Sequence, residues 1–142
     1  MTMRIVVGVD GSEQASRAVE WCAKYAVALG AEVVVVHAID IPVYVPVVGS
    51  EVPPQLSPED RADLGDRVTD EWCASLRNAN VPYRVVLIDS DPALAIIQAA
   101  KTEQADLVVV GRRGRGGFAE LLLGGTSYAV IHHLDRPLLI VP

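Results

Sequence analysis

Positive charge is scarce in this sequence. Twelve Lys and Arg residues face eighteen Asp and Glu, a net charge of −6 at neutral pH. A chain of that sign is repelled by a phosphate backbone, and no basic stripe offsets the repulsion, which argues against a nucleic-acid partner. Aromatic side chains make up only 5% of the residues, so a core must come from Val, Ile, Leu and Ala. The two cysteines, Cys22 and Cys73, form no C-x-x-C and have no Cys/His spacing suited to a metal. Each follows a Trp within a helical pattern and reads as a small buried hydrophobe. No apolar run reaches the length of a membrane span. The opening MTMRIVVGVDGS lacks the cationic region, long apolar core and cleavage site of a signal peptide. The expectation is a cytoplasmic protein with no membrane partner.

What is present is an alternation. The chain has 142 residues, the size of one domain spanning 1–142. Five short apolar runs stand out: Arg4–Val9, Glu32–Ile39, Tyr83–Ile88, Asp106–Val110 and Pro137–Val141. None alternates cleanly with polar residues, the pattern of parallel strands buried on both faces. Helical patterns lie between them. Glu13–Leu29 carries an apolar stripe, with Ser12 placed to cap its start and Gly30 its end. A second helix is predicted from about Pro58 to Leu76 with Ser57 as its cap, and a third starts at Asp91 and Pro92. A fourth, short helix is predicted over Thr126–Leu134. The resulting βαβαβαβαβ order implies an open five-stranded parallel sheet with helices on both faces, a Rossmann-like α/β fold. Two strand orders compete, 2-1-3-4-5 and 3-2-1-4-5. The polar start Tyr83-Arg84 suits an edge strand, and the purely apolar first and fourth strands suit the centre, which favours 3-2-1-4-5. Asp40–Leu56 is irregular, with four prolines among several valines, and reads as a lid, a partner surface or a mobile connection.

Two glycine-rich turns carry the chemistry. The first is Gly8-Val9-Asp10-Gly11-Ser12, at the end of the first strand. The second follows the fourth strand: Val110 and Gly111 lead into Arg112, Arg113 and Gly114, and Gly124, Gly125, Thr126 and Ser127 open the last helix. The first N–H groups of a helix have no partner inside it, so such a start is suited to phosphate. In the order 3-2-1-4-5 the crossovers reverse between strands one and four, and ligands of open α/β sheets bind there. Both turns fall at that point. Arg112, Arg113 and Arg115 suit a small anion, and one of them is expected at a phosphate. Asp10 either fixes the turn, bonds a ribose or contacts a metal. His37 reads as a satisfied core or rim histidine, and His132 and His133, adjacent on a helix, cannot share a face.

At these residues the chain resembles the universal stress protein family. The pattern G-x2-G-x9-G-[ST] through Gly111, Gly114 and Gly124 stands beside an opening strand ending V-x-V-D-x-S. Val36-His-Ala-Ile, Ala105–Gly111 and Pro137-Leu-Leu-Ile-Val extend the likeness along the whole chain. The resemblance implies ATP, or AMP, in the switch-point crevice, and a homodimer joined through the terminal strand at 138–141. It places the adenine and ribose by Gly8, Val9, Asp10 and Ala38, the ribose and first phosphates by Val110, Gly111, Arg113 and Gly114, and the phosphates on Gly124, Gly125, Thr126 and Ser127. A magnesium ion bound to the phosphates would reach Asp10. One departure is Gly125, where the family often has Ser or Thr; its N–H can still donate, but one hydroxyl is lost.

The phosphate-loop signature G-x-x-x-x-G-K-[ST] is missing, since neither Lys24 nor Lys101 follows a glycine. The residues therefore argue for binding with at most weak ATP hydrolysis, and the resemblance implies a stress-response or signalling role. A slow ATPase and an AMP- or cyclic-nucleotide-binding member of the same fold are the alternatives. A phosphorylated receiver domain would use Asp10 and Asp89 but needs a lysine ending the fifth strand, and Pro137–Pro142 has none.

Overall fold

The structure, a computed structural model, describes residues 2–40, 56–112 and 125–142. Five parallel strands form one sheet: β1 (Met3–Gly8), β2 (Ala31–Ala38), β3 (Tyr83–Ile88), β4 (Leu107–Gly111) and β5 (Leu138–Val141). Their order is β3-β2-β1-β4-β5, the arrangement favoured by the polar start of β3. The registers run Val7 opposite Val35 on β2 and Val7 opposite Val109 on β4, so β1 is central. Ile5, Val6 and Val7 are fully buried. Successive side chains point to opposite faces of a strand, which is why an unbroken Val/Ile run feeds two cores.

One core lies between the sheet and the helices α1 (Glu13–Leu29) and α3 (Ala74–Asn78), and includes Ile5, Val7, Val33, Val35, Val19, Cys22 and Leu76. The other lies beneath α4 (Pro92–Thr102) and α5 (Gly125–His133), and includes Val6, Val34, Val36, Val108, Ile96 and Val130. Side-chain caps set the helix starts. Ser12 Oγ accepts from the N–H of Ala15 at 3.1 Å, and Asp91 accepts from Leu94 at 3.2 Å. Gly30, at φ 62°, ends α1 in the left-handed conformation that glycine favours.

The predicted continuous helix from Pro58 to Leu76 is instead three pieces: α2 (Pro58–Arg67), a π turn over Val68–Trp72, and α3. The apolar spacing explains the break. Val68, Cys73 and Leu76 are all buried, and the step of five from Val68 to Cys73 is too long for a regular α turn. A π turn accommodates the extra residue and returns the stripe to the sheet. Thr69 Oγ1 donates to the carbonyl of Gly65 at 2.9 Å beside it. Elsewhere the strands and helices start within one residue of their predicted places. The segment 41–55 and the residues 113–124, with Arg113, Gly114, Arg115 and Gly124, lie outside the described residues.

Candidate functional site

The order β3-β2-β1-β4-β5 puts the reversal of crossovers between β1 and β4, and a cleft opens at their carboxyl ends. It is shallow and open, its roughly 530 Å³ of empty space including the solvent at its mouth. Gly8, Val9, Asp10, Ala38, Val110, Gly111, Thr126 and Ser127 all line it. Gly125 stands next to it as the first residue of α5. The turn after β1, the end of β4 and the start of α5, about a hundred residues apart in the chain, therefore meet in one place.

Close approach explains two of the glycines. A Cβ at Gly111 would lie 2.7 Å from both the carbonyl carbon and oxygen of Gln14. Glycine at the end of β4 thus lets the first turn of α1 cross tightly over the sheet. A Cβ at Gly8 would lie 2.6 Å from Ile96 Cδ1, so glycine there lets α4 pack against β1.

The turn after β1 is internally tied. Asp10 Oδ1 accepts from the N–H of Ser12 at 2.9 Å, the turn-fixing role open to Asp10 from the sequence. The hydroxyl of Ser127 is 2% exposed as part of a buried residue and donates to the carbonyl of Gly111 at 2.7 Å. A serine hydroxyl has one proton, so this bond ties α5 to the end of β4 and leaves the Thr126 hydroxyl as the side-chain donor at the helix start. Arg112, beyond β4, donates its N–H to the carbonyl of Val141 at 2.7 Å and prolongs the pairing with β5.

Sequence reasoning missed part of the wall. Val36, His37, Pro92, Ile96 and Ala15 also line the cleft. The place of Ile96 beside the cleft depends on where α4 crosses the sheet. His37, expected as a satisfied core or rim histidine, is half-buried on the cleft, and its Nδ1 lies 2.8 Å from the carbonyl oxygen of Val9. Cys22 and Cys73 are free and buried. Burial pushes the Cys22 thiol up to about 12, opposed by a backbone hydrogen bond, and the Cys73 thiol up to about 11, opposed by the charge of Arg77. Among the described residues no cluster of His, Cys, Asp and Glu is arranged to hold a metal ion. No helix among them is long and apolar enough to cross a membrane.

The model of the universal stress protein family matches residues 1–142. The chain belongs to that family. A universal stress protein of Thermus aquaticus is 35% identical over 143 residues, covering 99% of each chain. Two solved universal stress proteins share the fold of this one. One, from Archaeoglobus fulgidus and in complex with dAMP, has a TM-score of 0.72 at 21% identity, covering 99% of this chain and 98% of that one. Another, in complex with cAMP, has a TM-score of 0.70 at 24% identity, covering 99% and 96%.

Proposed function

We propose that this universal stress protein domain is an adenine-nucleotide-binding module of the cytoplasm, with ATP as its ligand, acting in stress response or signalling. The observation that carries the reading is the meeting of the β1 turn and the α5 start at one cleft on the topological switch point. The chemistry of the lining fits the ligand. Val36, Ala38, Ile96 and Val110 offer an apolar slot for a base. The start of α5, with the Thr126 hydroxyl, suits phosphate. Arg113, Gly114 and Gly124, which lie outside the described residues, are proposed with Gly125 to complete the phosphate site, because in sequence they stand between the end of β4 and the start of α5.

Magnesium fits as a phosphate-bound ion. Asp10 is the carboxylate on the cleft, and a cation usually bound through one carboxylate plus substrate phosphates needs no cage of protein ligands. The ion would neutralise phosphate charge in a protein that is itself acidic. Turnover is not part of this reading, because no lysine-bearing phosphate loop stands at the cleft. The ligands named for the two solved neighbours support a second reading, in which AMP or a cyclic nucleotide fills the same cleft.

The assembly proposed is a homodimer through β5. Among the described residues that strand pairs with β4 alone and lies at the edge of the sheet, and the segment Leu138–Val141 is uncharged. An apolar edge with open N–H and C=O groups invites antiparallel pairing with a second copy.

Isothermal titration of the purified protein with ATP, with and without magnesium, and then with AMP and cAMP, tests the ligand. Saturable ATP binding strengthened by magnesium is expected. No heat and no thermal shift at millimolar nucleotide would overturn the proposal.

A further inference from the structure

His37 stands on the cleft but outside every residue set the glycine-rich motifs pick out. It leaves β2 just as that strand passes β1, and its ring reaches across to the residue that follows β1. Both main-chain polar groups of Val9 are thereby tied to β2. The N–H of Val9 donates to the carbonyl of Val36 at 2.9 Å, and the carbonyl of Val9 faces Nδ1 of His37 at 2.8 Å. A carbonyl can only accept, so Nδ1 carries a proton and donates it to Val9. The indole of Trp72 meets the same imidazole at a centroid distance of 5.1 Å and an angle of 79°, a T-shaped contact. Trp72 is brought there by the π turn that ends at it. The ring of His37 is therefore held from one side by a hydrogen bond and braced by an aromatic contact.

The turn from Val9 to Ser12 is consequently locked at both ends, by His37 at Val9 and by the Asp10 side chain at Ser12. Val9, Asp10 and Ser12 all line the cleft. A turn held in one geometry before the ligand arrives spares the ligand the cost of ordering it.

We propose that His37, braced by Trp72, is a positioning residue for the nucleotide: its Nδ1–H pins the Val9 carbonyl and so pre-forms the β1 turn that faces the base and ribose. This rests on the reading of the cleft as an adenine-nucleotide site. The role belongs to one nitrogen, which makes it separable from mere packing. Asparagine at this position offers an amide N–H close to where Nδ1 stands, whereas glutamine offers one a bond further out, near Nε2.

The test is isothermal titration of magnesium–ATP into wild-type protein and into His37→Asn, His37→Gln and His37→Leu, with a thermal melt of each. His37→Leu is expected to bind about tenfold more weakly, the effect of one lost ordering hydrogen bond, and His37→Asn within about threefold of wild type. His37→Gln should resemble His37→Leu. A His37→Leu protein that melts lower but binds ATP as tightly as wild type shows a packing role and overturns the inference. So does weakening of His37→Asn equal to that of His37→Gln, a comparison that still decides if His37→Leu does not fold. Nitrogen-15 NMR of the ligand-free protein reads the tautomer directly: protonated Nδ1 is expected, and protonated Nε2 with bare Nδ1 overturns the lock. Wild-type protein that binds no adenine nucleotide overturns the proposed function and this inference with it. Wild-type protein that binds beside an equally tight His37→Leu overturns this inference alone.

Discussion

Gly111→Ala puts one methyl group where the structure has room for none. The new Cβ would lie 2.7 Å from two backbone atoms of Gln14 and 2.9 Å from its Cβ. Those atoms belong to the first turn of α1, which is anchored by the Ser12 cap and by the buried Ala15, Ala18 and Val19. No rotamer change relieves the clash, so the helix start or the end of β4 has to move. Overpacking of this kind costs about 1–3 kcal/mol, and backbone contacts place it near about 2–3 kcal/mol. At about 4 °C per kcal/mol for a domain of this size, the melting temperature should fall by about 8–12 °C. Two sister substitutions calibrate the argument. Gly8→Ala meets Ile96 Cδ1 at 2.6 Å, the far end of a side chain that can turn away, so it should cost about 1 kcal/mol. Gly125→Ala meets nothing within 4 Å at the start of α5, and should leave stability unchanged or raise it by about 0.5 kcal/mol. Differential scanning calorimetry of the three variants should give the order Gly111→Ala lowest, then Gly8→Ala, then Gly125→Ala. A Gly111→Ala protein melting within about 2 °C of wild type would refute the close-approach argument.

Four further outcomes follow from the same geometry. Gly125→Ser fills open space at the α5 start with a hydroxyl, so titration calorimetry should show magnesium–ATP binding tightened by about fivefold, and unchanged affinity would remove phosphate from that helix end. Ser127→Ala deletes the bond to the Gly111 carbonyl, which should destabilise by about 1 kcal/mol in urea unfolding; no loss would mean the tie between α5 and β4 carries no weight. The buried thiols stay protonated in the fold at a pH where an unfolded thiol, near 9.0, ionises, so the unfolded state binds fewer protons and stability should fall as pH rises above 9.0 toward 11 to 12; the Cys22→Ala, Cys73→Ala double variant should lose that part of the decline, and an identical alkaline profile would contradict it. Ile140→Pro removes an N–H from β5 and should convert the proposed dimer to monomer in light scattering, whereas a monomeric mass for unmodified protein at tens of micromolar would refute the edge-pairing proposal.

The local pattern determined most of the framework, for reasons visible in single residues. The Val/Ile runs had to be buried on both faces, so a parallel sheet followed. Ser12, Ser57, Asp91 and Gly30 bound their helices because capping is a contact between chain neighbours. The polar opening of β3 was enough to send it to the edge. The glycine-rich turns were legible as well, since the switch-point rule converts a strand order into a location. The break in the second helix was not read, although its spacing was in the sequence: a stripe that steps by five from Val68 to Cys73 looks regular until both residues are seen buried against the same sheet.

What only the tertiary structure decided lies in contacts between residues far apart in the chain. That Gly111 yields to the backbone of Gln14, that Ser127 gives its proton to the Gly111 carbonyl, and that His37 holds the Val9 carbonyl with Trp72 behind it are long-range pairings. A cap or a stripe is set by backbone periodicity over a few residues, and the sequence displays it. A hydrogen bond across 28 residues, such as that of His37 to Val9, depends on which strands become neighbours and in what register. Only the folded sheet supplies that information, because many side chains could reach a given carbonyl and packing selects the one that does.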